Sequence, residues 1–250
     1  MRARTYSAVM LACAIAAPAF AGDLTIVSKT TTTGPTAKTG TSTMYMTAAK
    51  ILTQQERSNV LVDLASGTFT FIDPEKKQYW TMTKEDMEAM SKAMAAKMEA
   101  MQKDPKAAAM MQNMMGTLGT VKLETGTQTK TIAGFSCTQY TLTMGETMKM
   151  VYWTTTAVQP PFSAEQFFNA ETGMLRANPM FSRMSAMFDE MKKMKGFPLA
   201  TSTTMSMGPM QIESSSEATE VKTSAIPAST FDIPNDFKKI DSPMSKMLKH

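Results

Sequence analysis

The chain has 250 residues, with 26 Lys and Arg against 22 Asp and Glu and a formal charge of +4. With no Arg-rich stripe and no alternation of basic with aromatic residues, it lacks the electrostatic footprint of a nucleic-acid binder. Its single histidine is His250, so a His-based catalytic triad or His metal centre has no rigid element to stand on.

The first 21 residues read as an export leader. Arg2 and Arg4 precede an apolar run from Ala8 to Ala17, and Ala19-Phe20-Ala21 places small residues where a signal peptidase needs them. Cleavage is expected between Ala21 and Gly22, giving a periplasmic or secreted protein. The apolar run is too short for a permanent span, so the mature chain is expected to have none. Cys13 follows Met10-Leu11-Ala12, a poor lipobox, which favours soluble export over a lipid anchor. Loss of Arg2 and Arg4 lowers the formal charge from +4 to +2 and leaves Cys137 as the one cysteine of two. An exported chain with a single thiol has no internal disulfide framework, and Cys137, set in an apolar-polar alternation, reads as a packed strand residue. One domain is expected over 22–241, with 242–250 a frayed tail.

Strand signals come first in that domain. Leu24 and Ile26 alternate with Thr25 and Val27, and a threonine-rich tract follows, broken by Gly34-Pro35 and Gly40. Further strands are expected at Thr43–Ala48, Lys50–Gln55, Val60–Leu64, Phe69–Phe71 and Lys77–Thr81. Turns fall at Ser66-Gly67 and Asp73-Pro74, so the whole reads as a six-stranded antiparallel meander.

Thr83 to Gly116 changes period. Met87, Met90, Met94, Met98 and Met101 recur at intervals of three and four, which puts five thioethers on one helical stripe. Thr83 and Asp86 form a capping-box pattern at its start, and Pro105 separates it from a second, shorter helix closed by Gly116. Strands are expected again at Val121–Thr125, Lys130–Ile132, Phe135–Met144 and Thr147–Thr156, with Gly126, Gly134 and Gly145 at the turns. The last of these strands places Met148, Met150 and Tyr152 on one face and Val151 and Trp153 on the other. After Pro160-Pro161, the Ser163 to Gln166 capping box opens a second helical insertion. It ends in another five-residue stripe, Met180, Met184, Met187, Met191 and Met194, with Lys192, Lys193 and Lys195 in the last turn. Strands Leu199–Met207 and Met210–Thr223 complete the pattern.

Several segments together resemble a known group. The start Gly22-Asp23-Leu24-Thr25-Ile26, the segment Gly134-Phe135-Ser136-Cys137-Thr138-Gln139-Tyr140, the strand bearing Trp153 and the closing Phe231-Asp232-Ile233-Pro234 look like an uncharacterised family of exported bacterial proteins. The element order is similar to that of the LolA and LolB periplasmic lipoprotein carriers. The resemblance implies an α+β fold: a strongly curved antiparallel sheet of about ten to twelve strands, an incomplete β-barrel, with two helical insertions covering its open side. It carries over no functional residue, because no position matches the carriers' cavity arginine.

The sequence has no G-x-S-x-G, no glycine-rich phosphate loop and no paired-cysteine motif, so no enzyme and no cofactor is expected. The methionines carry the functional question: there are 28, and 26 lie outside the leader. In the plainest reading they replace leucine in a filled core and the protein has a structural or envelope-interaction role. As a deformable surface, the stripes Met87, Met90, Met94, Met98, Met101 and Met180, Met184, Met187, Met191, Met194 would line a cavity for a lipid, acyl chain or apolar peptide. As soft ligands, thioethers suit Cu(I), and Met205, Met207 and Met210 form the best local cluster. Exposed methionines could also serve as an oxidant sink. The hydrophobic-ligand reading is the one adopted, with an envelope protein as a further partner class.

Overall fold

The structure, a computed structural model, describes residues 22–34, 37–104, 120–163, 186–207 and 210–243. Its strands are β1 (Leu24–Thr32), β2 (Lys38–Met46), β3 (Lys50–Gln55), β4 (Asn59–Asp63), β5 (Thr68–Asp73), β6 (Gln78–Met82), β7 (Val121–Ile132), β8 (Phe135–Met144), β9 (Met148–Thr155), β10 (Phe197–Met207), β11 (Met210–Thr223) and β12 (Lys238–Lys239). Helix α1 spans Lys84–Gln102, residues 186–191 are helical, and a 3-10 turn covers Ala228–Phe231.

All twelve strands form one sheet in the order β12-β6-β5-β4-β3-β2-β1-β11-β10-β9-β8-β7. The expected meander is present as β1 to β6, each strand antiparallel to the next. The second wing, β7 to β11, is also antiparallel throughout. The wings join through β1 and β11, which run antiparallel from Leu24 opposite Thr223 to Thr32 opposite Ser214. The two edge strands, β12 and β7, do not pair with each other, so the sheet stays open.

Register fixes which residues share a face, because directly opposed residues in an antiparallel ladder point the same way. Leu24 opposes Met46, Met46 opposes Ile51, Ile51 opposes Val62 and Val62 opposes Phe69, which makes one apolar row across five strands. This row lies at the end of the sheet where β1 starts and β11 ends. There it merges with Ile132, Cys137, Val158, Leu199 and Ala218 into the main core. Residues of β3 and β4 thus share a core with residues of β7 and β8, which the open strand order sets far apart. Twist and bulges close that distance. Register shifts occur between Val27 and Ser28, between Thr125 and Thr129, and between Pro198 and Ala200. The outer wing rolls far enough for Lys130 of β7 to pair with Glu217 of β11 at 2.5 Å.

On the opposite face, Tyr45, Leu52 and Leu61 form a second row, covered by Ile226 and Phe231 from the closing segment. That segment acts as a strap. Its start is held where the Ile226 amide donates to Asp23 Oδ2 at 2.8 Å, and its end where Lys77 meets Asp236 at 2.7 Å. β12 then adds to β6 as a two-residue parallel strand, a pairing the sequence pattern does not announce.

Two sequence expectations need correcting. Gly126 is not a turn: β7 runs unbroken from Val121 to Ile132, and Gly126 sits at its bulge. A Cβ there would lie 2.8 Å from Gln139 Oε1 and 3.0 Å from Gln139 Cβ, so this glycine gives a cross-strand side chain room instead of reversing the chain. Likewise Gly40 does not interrupt the threonine tract. It lies within β2, where its carbonyl accepts from Thr30 Oγ1 at 3.2 Å. Gly134 does form the expected turn, following Ala133 with φ of 87° after 48°, the positive pair that a two-residue hairpin uses.

The capping box of α1 is formed as expected. Asp86 Oδ2 accepts from the Thr83 amide at 2.9 Å, and Thr83 Oγ1 accepts from the Asp86 amide at 3.2 Å. The second helix expected after Pro105, the start of the second helical insertion at Ser163–Gln166 and the leader all reach outside the described residues. No described helix is long and apolar enough to cross a membrane.

Candidate functional site

At the end of the sheet away from the main core, the face that bears Leu24 changes character. The row running Thr30, Ser216, Thr201 and the row running Thr32, Ser214, Thr203 carry hydroxyls where the core rows carry aliphatics. With Ser42, Met44 and Thr53 of β2 and β3 they line a cavity of about 410 Å³. The floor spans the joint between the wings, and at its mouth Lys38 and Glu56 form an ion pair at 2.9 Å. The lysine's hydrogen bond holds the Glu56 carboxyl below the usual carboxylate range. Among the predicted ligand-lining methionines whose side chains are described, none lines this cavity; of the described methionines, Met44 does.

The same rows continue into the second wing and become thioether and aromatic. Thr203 opposes Met150, which opposes Leu142, which opposes Leu123. One rung along, Thr201 opposes Tyr152, which opposes Tyr140. Tyr140, Leu142 and Tyr152 form a buried cluster, and Met187, Met191 and Met194 pack onto it together with Met150. Three of the predicted second-stripe residues are therefore brought to the sheet face next to the cavity. The Tyr152 hydroxyl donates to Met150 Sδ at 3.4 Å and approaches Met191 Sδ at 3.9 Å. Burial raises its pKa, which keeps it a phenol. The segment after the helical residues is tied down by main-chain contacts: Thr154 Oγ1 donates to the Lys195 carbonyl at 2.7 Å, and the Lys195 amide donates to Tyr140 Oη at 3.4 Å.

The remaining predicted residues are placed as follows. Met87 is buried and Met90 half-buried on α1, one turn from Ser91, a buried hydroxyl that makes no hydrogen bond. Met94, Met98 and Met101 belong to α1, but their side chains lie outside the described residues, as do Met180 and Met184 entirely. Met205 is half-buried on β10, and Met207 opposes Met210 where β10 and β11 end. The side chains of Met207 and Met210 are outside the described residues. Cys137 is a packed strand residue, 1% exposed, its thiol directed at the Phe135 carbonyl at 3.5 Å. Burial pushes its pKa up, the reverse of what a nucleophilic thiol needs. Among the described residues no three His, Cys, Asp or Glu side chains converge as a metal site.

Sequence reading missed the hydroxyl floor, because Thr and Ser spread over five strands look like ordinary strand residues until register aligns them. It also left Met144 and Met148 unassigned, although the expected grouping of Met148, Met150 and Tyr152 on one face is what the register produces.

No curated protein matches this chain. Among solved structures, PNGF-II is similar over 91% of this chain with 12% identity and a TM-score of 0.42, and the chain spans 32% of that protein's length. An uncharacterized conserved protein from Thermus thermophilus is similar over 89% of this chain and 91% of its own, with 6% identity and a TM-score of 0.46. The LolA superfamily protein NE2245 from Nitrosomonas europaea is similar over 84% of this chain and 90% of its own, with 8% identity and a TM-score of 0.30. A family model described as a domain of unknown function, DUF4412, matches residues 39–237, which include ten of the twelve strands, β2 to β11, in whole or part and every described lining residue of the cavity except Thr30, Thr32 and Lys38. The chain belongs to the DUF4412 family.

Proposed function

We propose that this protein is a non-enzymatic, exported binder of an amphipathic ligand, a lipid or acyl chain with a polar head. The observation that carries the reading is adjacency on one sheet face: the hydroxyl-lined cavity of about 410 Å³ abuts a surface of Met150, Tyr152 and Met191. Small-molecule sites combine apolar lining with a few oriented polar groups, and here the two are separated along one axis. Hydroxyls of Thr32, Thr203 and Ser214 would accept and donate to the head. Thioethers would repack around the tail, since methionine adapts its shape at low cost. The reading takes the leader to be removed after Ala21, the domain to be 22–241, and both helical insertions, with the stripes at Met87 to Met101 and Met180 to Met194, to close over the tail.

Native mass spectrometry of protein purified from its own compartment without detergent tests this directly, with a co-purifying lipid mass as the expected result. In solution, an apolar fluorescent probe is displaced by phospholipid at micromolar concentration and less readily by a fatty acid lacking the larger head. A chain that carries no lipid mass, and whose probe is not displaced even at millimolar lipid, is not this binder.

A further inference from the structure

The rung next to the cavity, at the outer end of the second wing, is a line of methionines. Met144 opposes Met148 across the β8–β9 hairpin, and Met148 opposes Met205 on β10. Val121 and Ile212 flank the line on β7 and β11, so both of its ends are apolar. Met144 is 8% exposed, while Met148 and Met205 are half-buried, which makes the line desolvated yet reachable. The neighbouring hydroxyl is turned away, with Thr147 Oγ1 donating to the Met144 carbonyl at 3.1 Å. No cluster of hard ligands competes among the described residues.

We propose that Met144, Met148 and Met205 form a thioether site for a soft monovalent cation, Cu(I) or its analogue Ag(I). Opposed Cβ atoms stand about 5 Å apart, so the outer two sulfurs must lean toward Met148 to share one ion. With metal–sulfur distances of about 2.3 Å, as for thiolate ligands, each leans by roughly 3 Å, which is the reach of a Cβ–Cγ–Sδ arm. Three neutral thioethers with no nitrogen or carboxylate select for soft, low-charge ions and against Zn(II) or Mg(II). They also carry no protons to release on binding, unlike Cys, His or carboxylate ligands. The site's affinity is therefore flat with pH. It stands apart from the lipid reading, and either can fail without the other.

The test is anaerobic titration of the full chain with Ag(I), and with Cu(I) against a chromogenic competing chelator. One equivalent is expected to bind, with an affinity constant to within threefold between about pH 5.5 and 7.5. The triple variant Met144→Leu, Met148→Leu, Met205→Leu keeps volume and hydrophobicity and should bind at least tenfold more weakly, while Met82→Leu, a half-buried methionine of β6 in the other wing, leaves the affinity unchanged. Should the triple variant fold poorly, peroxide oxidation of the unmodified chain decides, because Ag(I) should protect Met148 and Met205 and leave Met82, which is half-buried like them, unprotected. Absence of bound ion, an unchanged affinity in the folded triple variant, affinity that climbs with pH, or protection spread evenly over the methionines would each overturn the proposal.

Discussion

The first wing, β1 to β6, packs with Leu24, Ile51, Val62 and Phe69, and stacks Phe71 on Trp80 at 4.1 Å between ring centres. The second, β7 to β11, packs on the same face with Leu142, Tyr140 and Tyr152 under a layer of Met150, Met187, Met191 and Met194. Branched and aromatic side chains have few rotamers and hold their shape, whereas thioether arms repack around what is next to them. The first wing is also strapped on its other face by Ile226 and Phe231. One wing is thus built as a frame and the other as a yielding surface, and the hydroxyl cavity lies where they join.

Matched truncations test that contrast most severely. Leu24 and Leu142 are both 0% exposed, so a difference between their alanine variants reports on the surroundings and not on the residue. Leu24→Ala should cost about 4 kcal/mol in denaturant unfolding, near the top of the usual range, because the branched residues of its cluster, Ile26, Ile51 and Val62, hold their shape and leave chiefly the opposed Met46 to lean into the space. Leu142→Ala should cost about 2.5 kcal/mol, since methionines can move in. Equal losses would break the comparison. Phe231→Ala should cost about 3 kcal/mol and release the strap, read as faster proteolysis between Thr223 and Asp232. A smaller effect of opposite sign is expected at Ser91→Ala. It removes a buried hydroxyl that makes no hydrogen bond and should raise stability by about 1 kcal/mol in thermal unfolding.

The smallest effect concerns acid. Asp63 sits in the β4–β5 turn and accepts hydrogen bonds from the Ser66 and Ala65 amides at 2.9 and 3.1 Å. The Ser66 amide bond above all lowers its pKa below 3.8. A carboxylate with a depressed folded pKa contributes stability that is fully present above the ordinary aspartate value and is lost as pH falls through the folded one. Between neutral pH and the acid range, wild type should therefore lose more stability than Asp63→Asn, and parallel curves would remove this turn from the account of the frame.

Much of the frame was legible because its signals are local. Period-two alternation, Ser66-Gly67 and Gly134 give the strands and turns, and the Thr83–Asp86 box gives the helix start to the residue. What the strands do to one another was less legible. Gly126 and Gly40 read as breaks, but each serves a neighbouring strand: Gln139 crowds the first, and Thr30 bonds the second. The cavity could not be read at all, since its hydroxyls come from β1, β2, β3, β10 and β11, and only the pairing of Leu24 with Thr223 brings the ends of the chain together. Of the second stripe, Met187 and Met191 lie on the described helical residues, yet their partner surface, Tyr140 and Tyr152, depended on the register of three strands.

The pairing of β1 with β11 also sets the order in which this molecule can be completed. The chain leaves a ribosome from its amino end, so β1 emerges ahead of the other described strands, and its partner, ending at Thr223, emerges nearly two hundred residues later. Until then β1 presents an unpaired edge along Leu24–Thr32, and strand contacts of such separation form slowly. The growing meander can pair within itself in that interval, but the bond that unites the two wings is among the last to close. An unfinished edge of that length is what invites another chain to add to it, and this is the stage at which a holding chaperone would matter most.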